Sequence, residues 1–206
     1  MKNTIDSGDV SAYLHDSDII DWQHPAILEL AHHLASTCQT TEDIAKACFE
    51  WVRDEIHHSR DYQMNPVTCR ASDVLKYRTG YCFAKSHLLA ALLRANQIPA
   101  GLCYQRLTID DLPGSKLIYN NLPCTLHGLN AIFLPSIGWY RVDARGSREG
   151  INAIFIPPQE QLAFEIRLPQ EADFINIFAE PLAMVVDTLQ ASKTWEEVLI
   201  NLPDVS

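Results

Sequence analysis

No two cysteines in this 206-residue sequence stand in C-x-x-C spacing, which excludes zinc ribbons and thioredoxin-type redox motifs. No apolar run approaches the ~20 residues that a membrane-spanning helix requires; the longest, such as Leu88 to Leu93, fall well short. Basic charge is scarce, with 16 Lys and Arg against 26 Asp and Glu and a net charge of −10. Proteins that bind nucleic acid displace counterions with basic surface, and no basic stripe exists here. An anionic membrane face is disfavoured for the same reason. The small cluster Arg141, Arg145 and Arg148 is interleaved with Asp143 and Glu149. The opening Met1-Lys2-Asn3-Thr4 runs into Asp6, Asp9, Asp16 and Asp18 without an apolar segment, so no secretory leader is expected and the cytoplasm is the expected address.

What is present describes a folded protein. The chain is 47% hydrophobic and 9% aromatic, far too apolar for a disordered segment. A chain of this length buries roughly 70% of its unfolded surface and needs no covalent staples. No linker interrupts it, so one domain over 1–206 is expected, with a core at about 40–160. Six cysteines stand at 38, 48, 69, 82, 103 and 124. Their even number allows three disulfides, but a cytosolic chain of this size favours reduced, mostly buried thiols. One special cysteine among ordinary ones is the remaining option.

The first half has helical periodicity. Residues 24–36 place Ile27, Leu28, Ala31, Leu34 and Ala35 on one face. A second helix opens at Thr40 or Thr41, with Glu42 and Asp43 in its first turn and an apolar stripe through Ile44, Ala47, Cys48, Trp51 and Val52. Residues 59–70 read as a loop around Pro66, and Ala71 to Tyr77 as a short helix stopped by Thr79-Gly80. From Cys82 to Asn96 the apolar positions surround almost the whole cylinder, the pattern of a central buried helix. Its end is expected before Ile98-Pro99. Strand periodicity then takes over at 101–107, 126–134, 139–144, 151–156 and 163–167. Late helices are expected at 181–189 and 195–200, with Thr194-x-x-Glu197 as a capping box. Gly128 to Pro135 nearly repeats as Gly150 to Pro157, read here as two similar neighbouring strands. Helices first and strands later, without strict alternation, give an α+β class.

Cys82 opens the central helix, where first-turn N–H groups favour negative charge and can donate to an oxyanion. A free cysteine is more commonly a small buried hydrophobe, so the position needs support from a base. His87 lies about 140° round the helix and ~7.5 Å along it, and points elsewhere. His127, at the opening of the 126–134 strand, is the better base, and Asp143, ending the next strand, can orient it. The plainer alternative pairs Asp143 with Arg145, two residues on. Direct pairing of Leu134 with Trp139 would set His127 and Asp143 on opposite faces. Pairing Phe133 with Trp139 instead makes them diagonal neighbours on one face.

The segment Gly80-Tyr-Cys82, its apolar helix ending in Leu93-Arg94-Ala95, and Ile98-Pro99-Ala100 resemble the nucleophile region of the bacterial transglutaminase-like superfamily. His127 and the stretch Gly138-Trp139-Tyr-Arg-Val142-Asp143 resemble the later motifs of that family. The resemblance covers about 71–146, and more weakly the helix with Trp51-Val52-Arg53-Asp54. It implies a papain-like α+β fold, a helix carrying Cys82 on an antiparallel sheet carrying His127 and Asp143. It further implies a cofactor-free and metal-free thiol enzyme acting on a peptide or small amide, most readily a cysteine protease or amidase. Cys82 would attack, His127 would activate it and protonate the leaving group, and Asp143 would orient the imidazole. The Cys82 N–H would be one oxyanion donor; Tyr77, Gln63 and Asn65 lie upstream as options for a second. Departures are Gly128-Leu-Asn after His127, where the family has Ala-Trp, Gln97 in place of Gly, Gly101 in place of Arg, and Ala144-Arg145-Gly146 after the acid.

Other classes compete. Arg78-Thr79-Gly80-Tyr81-Cys82-Phe83 is close to the arylamine N-acetyltransferase segment, which implies acyl transfer from a coenzyme A thioester. Glu29-x-x-His32 and Glu55-x-x-His58 carry di-iron spacing, but the first pair lies opposite the apolar stripe and a solvated face explains it. A binding module on the same fold would be expected to lack one of the three site residues. The acidic stretch Asp110-Asp111 lacks the alternating ligands of a calcium loop.

Overall fold

The computed structural model describes residues 9–109, 123–146 and 151–205. Arg148, Glu149, Gly150, the Asp110-Asp111 stretch and the first eight residues lie outside these. After a 3-10 turn (Val10–Leu14), helix α1 (Pro25–Ala35) starts with proline at its first position and α2 (Thr41–Glu55) with a full capping box between Thr40 and Asp43. A two-residue strand β1 (His57–His58), a short helix α3 (Ser59–Tyr62) and α4 (Ala71–Tyr77) lead to β2 (Thr79–Gly80) and α5 (Cys82–Ala95). All 14 residues of α5 are buried. Helices α1, α2 and α4 pack around it on one side, and the sheet covers the other. No helix among the described residues is long and apolar enough to cross a membrane.

The sheet runs β5-β4-β3-β8, antiparallel throughout, from β3 (Ala100–Thr108), β4 (Cys124–Leu134), β5 (Gly138–Val142) and β8 (Ala172–Asp173). A hairpin of β6 (Ile154–Ile156) and β7 (Gln159–Gln161) stands apart, and α6 (Ala183–Ala191) and α7 (Trp195–Ile200) close the chain. This helix-on-sheet arrangement is the expected α+β, papain-like one. In the β4–β5 hairpin Phe133 pairs with Trp139 and Asn130 with Val142, so His127 and Asp143 share a face. Gly138 allows this register because its φ of +80° closes the turn.

Two departures from the family pattern have a local cause. The α5 C-terminus is a Schellman motif: Ile98 N–H donates to Leu93 O at 3.0 Å and Gln97 N–H to Arg94 O at 2.9 Å, with Gln97 at φ +58°. The helix therefore ends by its own capping, and Pro99 only follows it. A Cβ on Gly101 would collide with the Ile177 side chain and approach the Tyr13 ring to 3.1 Å; an arginine has no room there.

Several expectations need correction. Residues 163–167 are not a strand, because their N–H groups serve side chains: Ala163 donates to Asp143 and Arg167 to Glu171. Thr79-Gly80 does not simply stop α4; Arg78 does so at φ +56°, and Thr79-Gly80 forms the parallel partner of His57-His58. The similar segments around 128 and 151 are not neighbouring strands, since β4 is central in the sheet and β6 pairs only with β7. Ser59 to Tyr62, read as loop, is one helical turn.

Candidate active site

Cys82 is the first residue of α5, after Tyr81, whose side chain makes no capping bond. The first-turn N–H groups are thus left for whatever lies at the helix start. Gly80 lets this junction form: a Cβ there would stand 3.0 Å from Ala84 Cβ and 3.2 Å from Thr68 Oγ1. Cys82 is 7% exposed, at the wall of an open cleft of about 120 Å³. The Gly128 N–H donates to Cys82 Sγ at 3.5 Å. The close packing of β4 on the start of α5 explains the glycine after His127. A Cβ on Gly128 would meet Phe83 at 2.8 Å from Cδ1 and 3.1 Å from Cα, so any larger residue would push β4 off the start of α5.

His127, on β4, is 5% exposed and its Nε2 lies 2.7 Å from Asp143 Oδ2. Its other ring nitrogen, Nδ1, makes no bond to Asp143, and Cys82 lines the same cleft close enough to act on the ring. The ring is held edge-to-face on Phe164, with centroids 5.0 Å apart. Burial alone would push its pKa down, but the Asp143 charge and the contact with Cys82 outweigh this and raise it to about 10.

Asp143 is fully buried and uses both oxygens. Oδ2 accepts from His127 and from Ala163 N–H at 3.2 Å; Oδ1 accepts from Arg145 N–H at 3.0 Å. Burial opposes ionisation, yet the His127 charge and these donors hold the carboxyl below its usual range. The alternative pairing with the Arg145 guanidinium does not occur. That guanidinium forms a two-pronged bond with Asp61 at 2.6 and 3.0 Å, and only the Arg145 backbone serves Asp143. A thiol, an imidazole and a carboxylate in this order can move a proton from sulfur to nitrogen and stabilise the resulting charge pair.

His87 is elsewhere: it is buried, with Nδ1 2.8 Å from Cys69 O. Tyr77 is 41% exposed, Asn65 accepts from Trp195 N–H at 2.9 Å, and Gln63 closes α3 at φ +53°. None of the three lines the cleft. The residue that sequence reasoning missed is His58, which does line it. Strand β1 sets it opposite Gly80, two residues before Cys82, and its ring packs on Tyr81. Burial, reinforced by Arg145, Lys85 and His127, holds its pKa well below the ordinary value. Its spacing from Glu55 had pointed to metal; Glu55 is exposed while His58 is buried. Glu29 and His32 are both exposed, and no metal-binding cluster occurs among the described residues. None of the six cysteines forms a disulfide.

Residues 28–144 match the family model of the transglutaminase-like superfamily. Comparison with curated proteins finds no match. Among solved structures, a candidate cysteine protease from Cytophaga hutchinsonii is similar at TM-score 0.51 and 20% identity, over 67% of this chain and 42% of that one. The periplasmic domain of TgpA from Pseudomonas aeruginosa, bound to ethylmercury, has a TM-score of 0.49 at 18% identity, over 69% of this chain and 50% of its own. The chain thus spans half or less of the length of these structures. With the family model covering more than half of its residues, the chain belongs to the transglutaminase-like superfamily.

Proposed function

We propose that the protein is a thiol enzyme that cleaves or transfers the acyl group of an amide, with Cys82, His127 and Asp143 as its catalytic residues. The observation that carries this is the buried His127–Asp143 hydrogen bond of 2.7 Å on an imidazole that shares its cleft with Cys82, the first residue of a helix. With the proton held on His127, the sulfur attacks the acyl carbon. The oxyanion that forms is received by the Cys82 N–H at the start of α5. The imidazolium then gives its proton to the leaving amine, and an acyl-enzyme remains. Water, deprotonated by the same imidazole, releases the acid and restores the thiol. Hydrolysis of a peptide or small amide is the favoured outcome. Transfer from a coenzyme A thioester is the alternative with the same chemistry, and a binding role on the same fold is the non-catalytic one. We also propose one domain, since Arg94 joins α5 to the segment before α1 and to the segment before α6, and a cytoplasmic location, which suits a chain with six thiols and no disulfide.

An activated ester such as p-nitrophenyl acetate tests the first half-reaction without knowledge of the substrate. A burst of one p-nitrophenol per protein, with acetyl found on the Cys82 peptide and lost in Cys82→Ala, is expected. Acetyl spread over several cysteines, with the burst intact in Cys82→Ala, would contradict the proposal.

A further inference from the structure

Strand β4 is flanked by β3 from Cys124 to Ile132, but β5 pairs with it only from Asn130. Among the described residues no strand covers its second edge before that point. Backbone N–H groups two residues apart point to the same edge of a strand. On this edge the Gly128 N–H meets Cys82 Sγ at 3.5 Å, and the Leu126 N–H donates to Pro203 O at 2.8 Å. Two residues of extended chain, ~7 Å, separate the two donors. An acyl chain running from Cys82 along β4 would meet the Leu126 N–H next, and Pro203 O already holds it. The residues around Pro203 are seated with it. Leu202 lines the Cys82 cleft together with Thr125 and Leu126, and Thr125 Oγ1 donates to the same Pro203 carbonyl at 3.1 Å. The Asp204 carboxylate takes both prongs of Arg106, on β3, at 2.7 Å each. That pair is partly open to solvent, with side chains 23% and 31% exposed, so water and salt compete for it. Residues 202–204 belong to no helix or strand, and their displacement breaks no element.

We infer that the β4 edge beside His127 seats an extended peptide acyl chain carried by Cys82, and that Leu202, Pro203 and Asp204 hold this seat in the substrate's place. This rests on the thiol-enzyme reading above and narrows its substrate to peptides that lie along a strand edge. Such a peptide gains the Leu126 N–H only by displacing the chain's own segment, so the segment is an internal competitor.

Two alkylating agents of different reach test the inference at Cys82. Iodoacetamide modifies the sulfur without reaching Leu126, whereas acetyl-leucyl-leucine chloromethyl ketone lays an extended backbone along β4. The measured quantity is the rate ratio of the ketone to iodoacetamide at Cys82, followed by peptide mapping, in wild type, Leu202→Gly and Asp204→Asn. The ratio within each protein cancels any general change in thiol reactivity. Expected is a ratio about tenfold higher in each variant than in wild type, the scale of one charge-assisted hydrogen bond removed from the competitor. Hydrogen exchange in wild type gives a second reading that needs no variant. Attachment of the peptide ketone should speed exchange in residues 201–205, and attachment of iodoacetamide should leave it as it was. The inference is overturned if the ratio in the folded variants stays at the wild-type value or falls, or if the attached ketone leaves exchange at 201–205 unchanged. A Cys82 that reacts slowly with both reagents in wild type would instead overturn the thiol-enzyme reading on which the inference stands.

Discussion

Replacing His127 by alanine lowers the acylation rate of Cys82 by about 10²–10⁴-fold, the range for a positioned general base. The same change destabilises the fold in a pH-dependent manner. His127 is raised from about 6.5 to about 10 because the Asp143 charge and Cys82 outweigh burial. The native state therefore holds a proton that the unfolded chain has released, so the stability due to the pair is complete below about pH 6.5. It is lost as pH climbs through about 10. Asp143 is shifted down, so its share is present at neutral pH and lost as pH falls through the acid range.

Lys85 has the opposite sign. Its Nζ is buried against the Ile56 and Arg53 carbonyls, and burial takes its pKa down to about 7. From there towards about 10.5 its contribution to stability rises with pH. The diagnostic quantity is thus the difference between wild type and His127→Ala in urea unfolding. It should be about 3–5 kcal/mol near pH 6, the cost of leaving a buried carboxylate without its partner, and should shrink towards pH 10. A difference that is constant across this range, or an unchanged acylation rate, would contradict the pairing.

The second large effect is structural. Arg94 is fully buried at the end of α5. Its guanidinium donates to Ala100 O at 3.1 and 2.9 Å, to His15 O at 2.7 Å and to Ala179 O at 2.5 Å, with Glu180 at 3.7 Å. One side chain thus joins the buried helix, the start of β3, the segment before α1 and the segment before α6. Leucine fills similar space but leaves three carbonyls without donors, each costing about 1–3 kcal/mol. Arg94→Leu should lose about 3–5 kcal/mol and about 10 °C in thermal midpoint. Arg94→Lys should recover only part, because an ammonium cannot reproduce the fork. A Leu variant within 1 kcal/mol of wild type would show these bonds to be dispensable.

Local signals in the sequence translated well into structure. The acids after Thr40 became the capping box of α2, and Thr194-x-x-Glu197 starts α7, where Glu197 N–H donates to Thr194 at 3.4 Å. The all-round apolar pattern identified the buried helix, and of the two hairpin registers the sequence left open the structure takes the one that sets Asp143 diagonal to His127. What stayed hidden depends on partners distant in sequence. His57-His58 gives no strand signal, because its partner Thr79-Gly80 is supplied by a parallel pairing across two helices; this concealed His58 in the cleft. Arg145 lies two residues from Asp143 but bonds Asp61, 84 positions away. Arg94 reads as an ordinary basic residue at a helix end, and only the fold converts it into a buried junction.

The central claim is that His127 keeps its proton beside Cys82, the setting in which a cysteine reacts as thiolate at a pH where ordinary thiols do not. Iodoacetamide alkylation at about pH 6, with peptide mapping of all six cysteines, reads this directly. The account predicts rapid labelling confined to Cys82 in wild type and lost in His127→Ala, while Cys48, Cys69 and Cys103, whose thiols burial pushes up to about 12, stay unmodified. Slow labelling of Cys82 at the same rate in both proteins would contradict it.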